Sequence, residues 1–199
     1  VYDRVLEGSA DLGLVSFPRR SPKLTTLPWR EEEMVLACPP RHELASRLAV
    51  RMAELAGQAN VHFERTLAIR RKVDRFLRAQ QAAVDVRAEF DNIENIKQAV
   101  AEGAGVALLP RPTLRREIKA RTLVAVPLFA VRFTRPMGII HRRRHGLSAA
   151  AAGFLDLLRS QEPQSGEPTL NGHLNGNAPG RAAQDTTRGR THGRVSTKG

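Results

Sequence analysis

The stretch Asn92-Ile93-Glu94-Asn95-Ile96-Lys97-Gln98-Ala99-Val100-Ala101-Glu102-Gly103-Ala104-Gly105-Val106-Ala107-Leu108-Leu109-Pro110 reads as a capped helix, a glycine turn and a buried strand. Asp91 stands just before it as an acidic N-cap, and Glu94 follows three positions later, the spacing of a capping box. Ile93, Ile96 and Val100 then share one helical face, and Gly103 is the stop. Val106 to Pro110 is an unbroken apolar run, the pattern of a strand covered on both faces.

Outward from this unit the same alternation continues. Upstream, Val84 to Phe90 reads as a strand, and the segment before it as an amphipathic helix with Ile69, Val73, Phe76, Leu77 and Gln80 on one stripe. Val61 to Glu64 is a strand, Met52 to Ala56 a short helix, and Leu24 to Trp29 and Glu33 to Ala37 are two extended pieces ended by Pro39-Pro40. Val1 to Glu7 reads as the end of a helix stopped by Gly8, and Asp11 to Ser16 as a short strand closed by Phe17-Pro18. Downstream come a basic helix from about Thr113 to Arg121, strands at Leu123 to Leu128 and Met137 to His141, and a last helix. Ser148 caps that helix, with Phe154, Leu155 and Leu158 as its buried face. Strands and helices alternating over short connections predict an α/β protein with a mostly parallel sheet. Ligands in such sheets bind at the carboxyl ends of strands, near helix N-termini.

A length of 199 residues, 41% of them hydrophobic, suits one domain or two small lobes with a real core. No apolar run is long enough to span a membrane, and the opening lacks the basic-then-apolar layout of a secretory signal. The lone cysteine, Cys38, lies in the apolar run Met34 to Cys38, which predicts a buried small hydrophobe in a chain suited to a reducing cytosol. The formal charge of +12 suits work near a polyanion or an anionic ligand. The basic residues are scattered, and 5% aromatics are too sparse for a base-stacking platform. From Gln161 onward large apolar residues almost vanish, and the composition of 161–199 predicts a disordered basic tail.

Catalytic patterns are missing. There is no phosphate-loop sequence, no dinucleotide fingerprint and no nucleophile elbow. Gly103-Ala104-Gly105 follows a helix and precedes a strand, the reverse of the dinucleotide order. His141 and His145 have three arginines between them and no acidic partner, which opposes a metal site. The run Glu31-Glu32-Glu33 reads as a solvated face. No catalytic residue, metal or cofactor is expected, and the chain does not read as an enzyme.

Three stretches in register resemble the effector-binding, or substrate-binding, domain of LysR-type transcription regulators. Val5-Leu6-Glu7-Gly8-Ser9-Ala10-Asp11-Leu12-Gly13-Leu14-Val15 looks like that family's helix-to-strand turn. The Asn92 to Pro110 unit is similar to its helix, glycine turn and apolar strand, and Pro39-Pro40-Arg41-His42-Glu43-Leu44-Ala45 to a segment that usually carries proline where Glu43 stands. The likeness runs from about residue 1 to 160. It implies a two-lobed fold like type 2 periplasmic binding proteins, with residues 1–36 and 135–160 in one lobe, 37–134 in the other, and two crossover strands between them. It also implies an incomplete first lobe, Val1 falling inside it, and a DNA-binding helix-turn-helix that precedes this chain in the whole protein.

The same resemblance implies an effector cleft. It places Ser16 and Phe17 at a first-lobe strand exit, Arg65 and Thr66 at the exit of the Val61 to Glu64 strand, Asn92 and Ile93 at the start of the capped helix, and Pro110 on the hinge side. Each has a plainer alternative. Asn92 and Thr66 are possible helix caps, Arg65 a possible partner of a surface carboxylate, and Ser16-Phe17 a possible chain turn. The implied function is a cytoplasmic, non-membrane bacterial regulator. It binds a small polar or anionic metabolite, acts on promoter DNA through the preceding domain, and assembles as a homo-oligomer. The alternative is a solute-binding protein of a transporter on the same fold; an upstream helix-turn-helix or secretory signal discriminates them.

Overall fold

The computed structural model describes residues 1–160, so the tail expected over 161–199 lies outside the described residues. The strands are β1 (Leu12–Ser16), β2 (Leu24–Cys38), β3 (Ala59–Phe63), β4 (Asp85–Phe90), β5 (Ala107–Pro110), β6 (Val124–Val126) and β7 (Thr134–Arg142). The helices are α1 (Tyr2–Glu7), α2 (Ala68–Ala79), α3 (Ile93–Ala101), α4 (Arg115–Ala120) and α5 (Ala149–Ser160), with short 3-10 turns at Glu43–Ser46, Met52–Leu55 and Arg111–Leu114.

β2 organises the molecule. The two extended pieces expected from the sequence are one strand: Arg30, Glu31 and Glu32 between them pair with Met137, Pro136 and Arg135 of β7, past a register shift between Pro28 and Arg30. Its first part, Leu24 to Glu33, pairs with β7, which also pairs with β1. Its last part pairs with β5 on one side and β6 on the other. The burial pattern follows this division: Met34 to Cys38 are all buried, as a strand with neighbours on both edges and cover on both faces requires.

The mostly parallel sheet is therefore a correction. Parallel pairing occurs in the β3–α2–β4 crossover unit and in isolated bridges such as Asn60 with Val106. All pairings of β2 and β7 with named strands are antiparallel. Helix crossovers impose parallel neighbours only where they join adjacent strands, and β2 and β7 meet across about a hundred residues of intervening chain.

Buried side chains gather in three clusters. On β7, Ile140 joins Val5, Val15 and Leu24 beneath α1, while Ile139 faces the other way onto Leu155 and Leu158 of α5. Neighbouring strand residues point to opposite faces, so one strand serves both clusters. The large cluster collects Met34 to Cys38, α2 through Ile69, Val73 and Leu77, α3 through Ile96 and Val100, and Val106 to Leu109. Phe76 stacks on Phe133 with ring centroids 4.3 Å apart.

Three local readings change. The cap of α3 is Asn92, whose Oδ1 accepts from the Asn95 N–H at 2.9 Å, while Asp91 stands one residue too early and accepts from the Asn92 side-chain amide. On α5 the buried face is Ala151, Leu155 and Leu158; Phe154, one step round the helix, is about half exposed. Ser148 does cap it, accepting from the Ala151 N–H at 3.2 Å. Within the glutamate run Glu31 and Glu33 are exposed but Glu32 is buried, the alternation of a strand and not a uniformly wet face.

Candidate functional site: the cleft beside β2

A cleft of about 240 Å³ opens where strand exits meet helix starts. Ser16 ends β1 and Phe63 ends β3; Leu67, Ala68 and Ile69 begin α2; Asp91 and Ile93 precede and open α3; Arg135 comes from the start of β7. The walls are mainly apolar. Two helices present their unpaired N-terminal N–H groups on this side, and those groups with the helix dipole favour negative charge.

Among the described residues Arg135 is the only cation lining the cleft, and it is tied to the buried glutamate. Its Nε donates to Glu32 Oε2 at 2.9 Å and its Nη2 donates to the same oxygen. The other oxygen, Oε1, takes Arg30 Nη2 at 2.8 Å. The Glu32 side chain is 2% exposed and that of Arg135 11%, so the pairing is shielded from water. Arg30 lies over the Trp29 ring, 4.1 Å from its centroid, and the Trp29 indole donates to the Leu158 carbonyl of α5 at 3.0 Å. Glu32 and Arg135 are direct cross-strand partners, so sheet register itself places them together.

Of the residues expected at the site, Ser16 and Ile93 line this cleft. The Ser16 hydroxyl donates to Met137 Sδ at 3.4 Å. Phe17 takes a positive φ of 49°, donates its N–H to the Pro136 carbonyl and packs against the large cluster; it turns the chain and does not line the cleft. Asn92 is spent on the α3 cap. Arg65 is exposed and pairs with Glu89 at 3.3 Å, the plainer alternative for it. Thr66 is no cap: α2 begins after Leu67, and the Thr66 carbonyl accepts from Arg71. Pro110 is buried opposite Met34 and does not line the cleft. The cleft is also lined by Phe63, Leu67, Ala68, Ile69, Asp91 and Arg135, which the sequence reading did not name for the site. The signal for Arg135 was available in the β2–β7 alternation, which pairs a lone buried glutamate with an arginine.

Two larger hollows, about 660 and 470 Å³, lie at the far end of the β1–β7–β2 sheet, lined by Arg20, Lys23, Arg142, Arg143 and Arg144 among others. They present exposed cations but no convergence of strand exits with helix starts. A further hollow of about 480 Å³ beside α2 is lined by His62, Arg65, Arg70, Asp74 and Arg78. There, burial and then the Arg70 charge push the His62 imidazole down to about 4, so it is neutral at pH 7. Arg70 bridges Asp74 at 2.7 Å and Glu89 at 2.8 Å, and its guanidinium holds the Glu89 carboxyl below the usual carboxylate range. Burial pushes the Cys38 thiol up to about 11. Among the described residues no group of three His, Cys, Asp or Glu side chains is placed to hold a metal, and no helix is long and apolar enough to cross a membrane.

Comparison with known proteins gives the family and the fold. The family model described as "LysR substrate binding domain" matches residues 1–163. The "Uncharacterized HTH-type transcriptional regulator YeiE" of Escherichia coli K12 is 35% identical over 158 residues, covering 78% of this chain and 53% of that protein. The "RuBisCO operon transcriptional regulator" of Allochromatium vinosum is 28% identical over 153 residues, covering 77% and 51%. The chain thus spans about half the length of these curated relatives. Among solved structures, the Synechocystis PCC6803 CcmR regulatory domain in complex with 2-PG superposes with a TM-score of 0.71 at 26% identity, covering 80% of this chain and 76% of that one. The effector-binding domain of QuiR in complex with shikimate shares the fold, with a TM-score of 0.70 at 16% identity over 80% and 75% of the two chains. These relatives are transcription regulators and regulatory domains, not enzymes or carriers. The chain belongs to the family of LysR substrate-binding domains, with their periplasmic-binding-protein-like α/β fold.

Proposed function

We propose that this chain is the effector-sensing part of a cytoplasmic LysR-type transcription regulator. A small polar or anionic metabolite sits in the cleft beside β2, between a lobe of residues 1–36 and 135–160 and a lobe of 37–134. The buried clusters divide near that boundary, although Met34, Val35 and Leu36 belong to the larger cluster and Phe17 packs against it. Ser16 and Ile93 contact the effector, along with Phe63, Leu67, Ala68, Ile69 and Arg135, while Phe17 and the Asn92 cap hold the walls.

The observation that carries this reading is the convergence, in one mainly apolar cleft, of two strand exits, two helix starts and a largely shielded arginine. A mainly apolar cleft with a few convergent polar groups is the ordinary makeup of a small-molecule binding site. Its volume lies below the roughly 300–1,000 Å³ of drug-sized pockets, which suits a small metabolite. Occupancy shifts the balance between lobe arrangements by the effector's differential affinity for them, and with it the packing of an oligomer and its grip on promoter DNA. The DNA contact belongs to a helix-turn-helix domain outside this chain.

The test is calorimetry of the intact regulator against small anionic and polar metabolites, beginning with 2-PG and shikimate, together with promoter control by Ser16→Leu and Ile93→Lys variants. Binding that both variants weaken, with promoter response lost in parallel, is the expected result. No metabolite bound, and promoter control unchanged in both variants, contradicts it.

A further inference from the structure

Glu32 carries one negative charge between two guanidiniums, so the Arg30–Glu32–Arg135 group retains a net charge of +1 beside a largely apolar cleft. Of the two guanidiniums Arg30 is 37% exposed and meets solvent, so the one shielded at the cleft is Arg135, 11% exposed. The α2 and α3 N-termini lie on the same side and add positive potential. Asp91 supplies the opposing charge among the lining residues, but it is exposed and already accepts from Asn92. The second arginine is not at the cleft. It stacks on Trp29, whose indole is bonded to α5.

On the cleft reading above, we propose that Arg135 is the counter-charge of an anionic effector and that Glu32 is the internal competitor the effector displaces from it, the exchange passing through Arg30 to Trp29 and α5. Arg135 spends Nε and Nη2 on Glu32 Oε2. An anion in the cleft shares Arg135, and Glu32, whose other oxygen already holds Arg30, gives that guanidinium more of its charge. The Arg30–Trp29 stack and the Trp29–Leu158 bond then adjust together. The device lies at the register shift of β2, where the strand is locally irregular.

Trp29 is the chain's single tryptophan, so its emission reports on this exchange without a label. The experiment titrates the 199-residue chain with inorganic phosphate, shikimate and the neutral methyl ester of shikimate, following Trp29 emission and calorimetric binding in parallel. The wild-type chain is expected to bind at least one anion, to bind the ester at least tenfold more weakly than the acid, and to change emission on binding. Arg135→Gln is expected to lose binding at least tenfold and Arg135→Lys to recover part of it. Glu32→Gln, which keeps a hydrogen-bond acceptor but removes the competing charge, is expected to bind several-fold more tightly while losing the emission change. A purely structural pair predicts instead that both neutral variants bind more weakly. Circular dichroism and thermal melts confirm that each variant is folded, and Arg135→Lys serves as the charge-retaining reference if Arg135→Gln is not. Binding that Arg135→Gln leaves intact overturns the counter-charge while the sensing role stands. Affinity unchanged or reduced in Glu32→Gln overturns the competition. If neither anion binds but the intact regulator binds a neutral metabolite, the anion assignment falls and the sensing role survives. If nothing binds in either experiment, both fall.

Discussion

Glu32 shows how a single side chain can be misread from its neighbours. Three glutamates in a row suggest a wet surface, yet a strand turns every second residue inward, and the inward one met Arg135 and Arg30 across and along the sheet. Period-two reading of β2 would have found it; composition could not. His62 was equally silent in the sequence, since only the packing of α2 over β3 buries it. Its folded imidazole titrates at about 4 against an ordinary 6.5, so between those values the unfolded chain binds the extra proton. Stability is therefore unaffected by this group above about pH 6.5 and is lost as pH falls toward 4, by on the order of 3 kcal/mol. Glu89, held low by Arg70, adds a loss in the same direction at acid pH. Urea unfolding at pH 7.5 and 5 checks this: the native chain loses stability, and His62→Gln loses distinctly less. Cys38 behaves as its apolar run predicted. It is fully buried with its thiol near 11, so a thiol reagent at pH 8 is expected to leave the folded chain unlabelled and to label it stoichiometrically in denaturant.

Segments with strong periodicity were readable, and those shaped by neighbours were not. The amphipathic stripe of α2 and the helix–turn–strand unit from Asn92 to Pro110 fold as the spacing requires. The joining of two extended pieces into one β2 was hidden, because Arg30, Glu31 and Glu32 read as a polar stretch between two apolar runs and only their pairing with β7 makes them strand. The cap of α3 moved by one residue, since Asp91 and Asn92 are both good caps and backbone geometry chooses between them. Asn92→Ala is expected to cost about 1 kcal/mol, read from chemical denaturation. Gly105 is a sharper case. It takes φ +149°, and a Cβ there would meet the Ala59 carbonyl oxygen at 2.3 Å, on the bridge by which Val106 joins β3. Gly105→Ala is expected to destabilise by at least roughly 1–3 kcal/mol in the same assay, through backbone strain alone.

The molecule as a whole follows from β2 belonging to two packing environments at once. Its first part is held by β7 and β1 with α1 and α5; its last part is held by β5 and β6 within the large cluster. The family resemblance supplied this architecture, whereas alternation alone suggested a parallel sheet, because local periodicity says nothing about which distant strands become neighbours. The cleft was legible as a rule, strand exits against helix starts, and Ser16 and Ile93 met it. Arg65, Thr66 and Pro110 lie outside its lining, since adjacency in sequence to a strand exit does not fix which way a side chain turns. The most direct measurement is an amide NMR titration with whichever metabolite binds by calorimetry. The account predicts shifts concentrated at Ser16, Phe63, Ala68, Ile69, Ile93 and Arg135, on both sides of the cleft. Shifts confined to the arginine-rich end around Lys23 and Arg143, with the cleft silent, would contradict it.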